Sequence, residues 1–547
     1  MKKIIVTLII FITCMEAGSQ TPQLIKDIYP GGPGIDIYNP VLVELNGRGY
    51  FGGTDFTSGT ELWATDGTAS GTVMIKDIWT SAGNSYPRNL TVFNGALYFS
   101  AFDVTNGEEL WTSDGTLAGT HIVKDINPGV AGGSPKGFTV YNNKLYFSAT
   151  NGVNGYEVWA TDGTTAGTSI LKDINPGSGF SFPAGYIVFN GLLYFSAYEN
   201  THGYELWVTD GTSAGTLMLD DINPGIGDGY PYPQDRTIYN GKLYFSASNG
   251  VDGFELWSSN GTLAGTQMVK DINPAIGGSY PSHLLVFDNQ LFFTAGDNMH
   301  GNEVWKSDGT GSGTVMVKDI KPGLPGGVNS YMCVYHWKLY FSGNDGVNGQ
   351  ELWSSDGTDA GTIMVADIKA GISDSYPVNF TVYHDKIYFV AVANNAEGYQ
   401  LFEYDDATPA PVLIAPANPL SNACTDNDID AFSKLSVIFE TLIYPAWYDS
   451  LEMELYTLNT AVGIYETETA SDIILFPNPA SDNIQIQFKK EGTGVFAISD
   501  MSGRILIKEN FEKEKKLNFD ISSLSSGVYF LNVRSDDGTF VKKFMKE

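Results

Sequence analysis

Seven tryptophans fall at near-constant intervals along the chain. They are Trp63, Trp111, Trp159, Trp207, Trp257, Trp305 and Trp353, in steps of 48, 48, 48, 50, 48 and 48 residues. Each sits in nearly the same phrase. Glu109-Leu110-Trp111-Thr112-Ser113-Asp114-Gly115-Thr116 followed by Gly119-Thr120 is one copy, and Glu157-Val158-Trp159-Ala160-Thr161-Asp162-Gly163-Thr164 followed by Gly167-Thr168 is the next. A fixed period of this size means one supersecondary unit copied in tandem, each copy burying its apolar faces against its neighbours.

The phrase reads as four strands. Leu90-Thr91-Val92-Phe93 leads through Asn94-Gly95, a two-residue hairpin signal tolerant of positive φ, to Leu97-Tyr98-Phe99-Ser100-Ala101. A short loop precedes Glu109 to Ser113, and Asp114-Gly115 turns into His121 to Ile126. Asn127-Pro128-Gly129 ends that strand, because proline cannot donate to a ladder. The links inside a unit are short and the link between units is longest. That asymmetry suits an all-β propeller, whose chain must cross from the rim of one blade to the axis of the next.

Seven units carry the tryptophan. An eighth has Gln400-Leu401-Phe402 in its place, and a faded ninth is traced through Leu435 to Phe439, Leu442 to Tyr444 and Glu454 to Tyr456. Leu24 to Ile28 copies the fourth strand with no unit before it, so it is expected to complete the last blade. The expectation is a propeller of eight or nine four-stranded blades.

In this arrangement the tryptophans are inter-blade wedges, with sugar stacking by an exposed Trp as the alternative. Glu61, Glu109, Glu157, Glu205, Glu255, Glu303, Glu351 and Glu454 lie mid-strand, where a buried carboxylate needs a partner. The fourth-strand lysines Lys76, Lys124, Lys172, Lys270 and Lys318 are the candidates, although Asp220 and Ala366 interrupt their series. Asp66, Asp114, Asp162, Asp210, Asp308 and Asp356, with Asn260, read as turn caps. Calcium is open as a cofactor, but the spacing lacks the alternating ligands of an EF-hand loop.

Ligand-binding candidates come from the longer loops: Tyr156, His202, Tyr204, Tyr232, Asp252, Phe254 and Asp345. Aromatics beside Asn, Asp and His offer a flat apolar platform with hydrogen bonds at its edge. The link residues Tyr86-Pro87, Phe182-Pro183, Tyr232-Pro233, Tyr280-Pro281 and Tyr376-Pro377 keep a fixed register to the following strand, which points to packing there. No nucleophile elbow, His-Glu-x-x-His or phosphate loop is present, which counts against an enzyme without eliminating one.

The chain of 547 residues carries 31 basic and 62 acidic side chains, a net charge of −31. Such a surface repels nucleic acid and anionic lipid. Lys2, Lys3 and the apolar Ile4 to Ile12 precede Ala17-Gly18-Ser19, so residues 1–19 read as a signal peptide and the mature chain starts at Gln20. A lipoprotein attached through Cys14 fits poorly. No segment is long enough for a transmembrane helix. Cys333 and Cys424 read as two free buried thiols rather than a disulfide framework.

Composition changes after Tyr404. Residues 20–415 are assigned to the repeats, 416–470 to the degenerate ninth repeat and linker, and 471–547 to a separate small β-sandwich. Its markers are Phe476-Pro477-Asn478-Pro479, Leu524-Ser525-Ser526-Gly527-Val528-Tyr529 and the basic end with Lys542 and Lys543. This segment resembles the type A C-terminal sorting domain of type IX secretion cargo, with Pro477, Asn478, Pro479, Gly527, Tyr529, Lys542 and Lys543 as its signal. The resemblance implies a Bacteroidota-type cell, recognition by the type IX machinery, and a product that is released or attached to the outer-membrane surface. The repeats resemble the ELWxxDGTxxGT family of secreted proteins, which brings no substrate with it. The expected function is a secreted or surface module binding glycan or protein ligands in adhesion. The rivals are an extracellular polysaccharide hydrolase or lyase with a channel site, and a purely structural surface component.

Overall fold

The computed structural model describes residues 22–36, 41–80, 82–230, 235–274, 277–324, 326–328, 330–394, 399–414, 435–438, 441–448, 451–458, 473–476, 480–499, 505–535 and 538–546. The signal-peptide segment, Tyr232, Cys424 and Pro477 to Pro479 lie outside them. The described chain is almost wholly β, with one 3-10 turn at Leu263–Gly265.

Nine four-stranded antiparallel sheets contain the repeats. Sheets 1 to 8 cover residues 43–76, 88–124, 136–172, 184–220, 236–270, 282–318, 333–366 and 378–413, each with its four strands in chain order. Sheet 9 is made of Ser436–Ile438, Thr441–Tyr448 and Leu451–Leu458, and its fourth strand is Pro22–Lys26 from the other end of the chain. The unattached N-terminal strand is thereby placed where the repeat phrase put it.

Local chemistry makes each sheet. In sheet 2, Asn94 and Gly95 take φ of 49° and 76°, the mirror-image turn whose twist matches the flanking strands. Leu97 to Ala101 alternate between the two faces of their strand, yet all are buried, because a neighbouring sheet covers each face. The tryptophan of the third strand stands opposite a phenylalanine of the second, as in Phe99↔Trp111 and Phe147↔Trp159.

Hydrophobic clusters join the sheets pairwise. Leu62, Ile75 and Tyr50 of sheet 1 pack with Leu97, Phe99 and Trp111 of sheet 2. Leu110 and Tyr98 of sheet 2 pack with Leu145, Phe147 and Trp159 of sheet 3. The pattern continues through the eighth sheet, whose Tyr388, Val390 and Leu401 meet Leu442, Tyr444 and Tyr456 of the ninth. Ile25, Ile443, Met453 and Leu455 of the ninth sheet then meet Phe51 and Trp63 of the first. The seven tryptophans are at most 9% exposed, so they are wedges between sheets and are closed to a sugar.

The C-terminal strands form one five-stranded sheet rather than the two-sheet sandwich expected. Ile484 to Phe488 and Val495 to Ser499 are halves of a single strand, Asn483–Ser499. One half pairs with Ile473–Phe476 and the other with Gly527–Ser535, so both halves contribute to one core around Ile486, Phe496, Phe519 and Phe544.

Candidate functional site

The repeated glutamates do not pair with the lysines. Glu157 is fully buried, and its carboxylate accepts hydrogen bonds from the backbone N–H of Ile174 (2.8 Å) and Asn175 (3.3 Å) and from the Ser181 hydroxyl (2.6 Å). Glu109 accepts from Ile126 N (2.8 Å) and Asn127 N (2.9 Å), and Glu454 accepts from Ile28 N (3.2 Å). The link chain folds over the carboxylate because proline and glycine have ended the fourth strand, leaving backbone donors without a ladder. Burial pushes Glu61, Glu109, Glu157, Glu303, Glu351 and Glu454 up to about 7 and Glu205 to about 8, outweighing the hydrogen bonds that oppose it.

The lysines reach the next sheet instead. Lys76 Nζ donates to Thr120 O, Lys124 to Thr168 O and Lys26 to Thr72 O, each at 2.7 Å. The ammonium of Lys76 also lies 5.8 Å from the Trp111 ring centre. A charged donor on a long stem can cross to a neighbouring carbonyl without being desolvated beside the carboxylate. The Asp-Gly-Thr turns close as read: Asp114 Oδ1 accepts from the Thr116 N–H (2.9 Å) and hydroxyl (2.7 Å). Among the described residues no group of three His, Cys, Asp or Glu side chains is placed to hold a metal ion.

The six described ligand candidates are spread over sheets 3, 4, 5 and 7, and each meets partners of its own. Asp345 caps its own loop, accepting from Val347 N and Asn348 N at 2.8 Å each and from Asn348 Nδ2 at 2.7 Å. Asp252 accepts from Asn249 Nδ2 (2.8 Å), and His202 Nδ1 is bonded to Glu199. These three polar groups serve loop closure. Tyr204 packs on Tyr198, with ring centres 5.3 Å apart.

The aromatic candidates do meet partners. Tyr156 stacks on Phe182 (5.4 Å, 22° between planes) and lies 5.9 Å from Phe180, while Lys136 Nζ sits 5.2 Å from the Tyr156 ring centre. Phe254 stacks on Tyr280 (5.4 Å, 29°). Phe182 and Tyr280 are 38% and 56% exposed, so these two aromatic-Pro residues are not packed away as their register suggested, and the neighbouring Phe180 is 47% exposed. Phe180 and Lys136 were missed. The legible signal was Phe180-Ser181-Phe182, two aromatics that straddle a serine.

In the C-terminal sheet, Tyr529 is buried and donates to Ser525 O (2.7 Å). Lys542 and Lys543 stand opposite Leu531 and Phe530 on the last strand, which Gly527 begins to pair across. Cys333 is a half-buried free thiol that burial pushes up to about 12. No helix of the described residues is long and apolar enough to cross a membrane.

Residues 474–547 match the family model described as the secretion system C-terminal sorting domain. The tail therefore marks the protein for type IX secretion, to the medium or the cell surface. No curated protein matches the chain. Similar solved structures include a prolyl endopeptidase (11% identity, TM-score 0.38, 83% of this chain and 55% of that one). Oligopeptidase B from Leishmania major (9%, 0.35, 74% and 53%) and a puromycin-hydrolyzing peptidase from Mycobacterium tuberculosis (10%, 0.35, 66% and 57%) are two more. The chain spans a little over half of each, and at these scores the likeness carries no statement about activity.

Proposed function

We propose that the nine sheets are the blades of a closed propeller, exported through its sorting tail and acting as a glycan-binding adhesion module. Residues 20–470 are its binding part and residues 1–19 its leader. Three observations support the closed ring. The clusters run from each sheet to the next and from the ninth to the first, Pro22–Lys26 completes the ninth sheet, and the Lys26 bond to Thr72 repeats at the ninth-to-first junction the contact that lysine makes after sheets 1, 2, 3 and 5.

The observation that carries the binding reading is the half-exposed stack of Tyr156, Phe180 and Phe182 with Lys136 beside it. A flat aromatic surface takes the C–H face of a pyranose, and an adjacent cation and backbone groups take its hydroxyls. A channel hydrolase needs a pair of carboxylates reached by water. The glutamates with raised pKa are 0% exposed and bound to link backbone, so they do not supply that pair.

The test is a glycan array probed with the purified chain, with and without calcium. Saturable binding that Tyr156→Ala or Phe254→Ala weakens, while near-UV circular dichroism is unchanged, is expected. Absence of binding in both conditions sinks the glycan reading in favour of a protein ligand or a structural role.

A further inference from the structure

The links between sheets are of two kinds, and the kinds alternate. At the described junctions one residue clasps two sheets, except that after sheet 6 Val328 supplies the N–H bond and Gly327 the carbonyl. The N–H of Ser181 donates to Tyr156 O of sheet 3, while its carbonyl accepts from Tyr198 N of sheet 4. After sheets 1, 3, 5 and 7 the clasp is Ser85, Ser181, Ser279 or Ser375, and its hydroxyl donates to the buried glutamate of the same repeat at 2.5–2.7 Å. After sheets 2, 4, 6 and 9 it is Gly133, Gly229, Gly327 or Gly34.

The residue after the clasp differs accordingly. After each serine it is aromatic and precedes proline: Tyr86, Phe182, Tyr280 and Tyr376, with φ of 45°, 42°, 48° and 48°. Bulky side chains rarely adopt this region, and the following proline disfavours helical-type backbone further. After Gly229, Gly327 and Gly34 the residue is Tyr230, Val328 or Ile35, at most 2% exposed and without positive φ, whereas after Gly133 it is Ser134, which takes φ of 44° before Pro135 but carries no ring. The strained aromatics point the other way. Phe182, Tyr280 and Tyr376 are 38%, 56% and 40% exposed, and Tyr86 is half-buried. Ser134 shares the strained backbone, so what sets the serine junctions apart is the aromatic ring kept there four times and left at least partly open to water. Polar groups flank the rings: the Arg88 guanidinium is 5.0 Å from Tyr86, Lys136 Nζ is 5.8 Å from Phe182, and the Tyr376 hydroxyl donates to Asp374 (2.8 Å).

We infer that Tyr86, Phe182, Tyr280 and Tyr376 are four equivalent stacking platforms for the pyranose units of one polysaccharide, set at alternate junctions. This rests on the glycan-binding reading above and adds the number and nature of its sites. Each platform is a small flat aromatic surface, and those of Tyr86, Phe182 and Tyr376 lie beside a polar group, which suits a sugar ring better than a protein surface. Four weak sites on a rigid frame bind a polymer by effective concentration and a short oligosaccharide only weakly.

The test uses the full chain with cellohexaose and xylohexaose in titration calorimetry, and with hydroxyethyl cellulose and xylan in affinity electrophoresis. Expected are four equal sites for one of the hexasaccharides and tighter binding of its polymer. Each of Tyr86→Gly, Phe182→Gly, Tyr280→Gly and Tyr376→Gly should weaken polymer binding by about three- to tenfold, and the fourfold variant should lose it. Glycine relieves the positive φ, so melting temperature should hold or rise. A lowered melting temperature in all four, with binding intact, would show the rings to be structural and overturn the inference. A single site, or loss of all binding with one substitution, overturns the fourfold arrangement while leaving the glycan reading in place. Failure of all four probes to bind the unmodified chain overturns the inference for these pyranose polymers, and the glycan array then decides the broader reading.

Discussion

Replacing Glu157 by glutamine isolates the energetics of the buried glutamate series. Burial raises the Glu157 carboxyl from 4.5 to about 7. Its folded value lies above its unfolded one, so folding favours the neutral form. That contribution is complete below about pH 4.5 and is lost as pH rises through about 7. The interval sets a ceiling of about 3 kcal/mol, and partial relaxation of the ionised site toward water brings it to about 1–2 kcal/mol. Glutamine cannot ionise, but it offers one acceptor where the carboxyl offers two, to Ile174 N, Asn175 N and Ser181 Oγ. One donor is left unmatched, at a cost of about 1–3 kcal/mol. Guanidinium unfolding followed by tryptophan fluorescence should therefore show Glu157→Gln destabilised by that amount at pH 5. The difference should shrink by about 1–2 kcal/mol at pH 8.5. The net charge of −31 also weakens the fold at high pH, which is why the comparison between variants carries the test. Parallel stability-against-pH curves for the two proteins would refute the raised carboxyl.

Three further outcomes follow from the packing. Trp159→Ala empties the wedge between sheets 2 and 3 and should cost about 3–5 kcal/mol in the same unfolding assay. Gly163→Ala places a Cβ 2.4 Å from the Tyr98 hydroxyl at φ +97°, so it should lower the melting temperature, and Tyr98→Phe should recover part of the loss. Deleting residues 474–547 should leave the protein inside the outer membrane, read by cell fractionation against the intact chain.

Much of the fold was legible because it is local. Asn94-Gly95 and Asp114-Gly115 announce turns through backbone preferences that need no partner, and the alternation between them makes strands. The N-terminal strand was recognisable from its copy of the Lys-Asp-Ile phrase, although its partner, Leu451–Leu458, lies more than 400 residues away. The site was legible only in part. Tyr156 and Phe254 open the third strands of their sheets and stack on Phe182 and Tyr280, while Asp252, Asp345 and His202 bond residues of their own loops. From sequence, a loop carboxylate that caps a turn and one that awaits a ligand look the same.

The chain by itself determined the repeat, its four strands and its turns, since these follow from side-chain periodicity and from the φ preferences of Asn, Gly and Pro. Only the tertiary structure decided where the charged groups went. The glutamates took link N–H groups 17 and 18 residues ahead, and the lysines crossed to carbonyls 44 residues ahead in the next sheet. Those partners are chosen by how one sheet stacks on another. Burial makes a carboxylate take the nearest unpaired donors, and no strand pattern says which donors the neighbouring link will bring within reach.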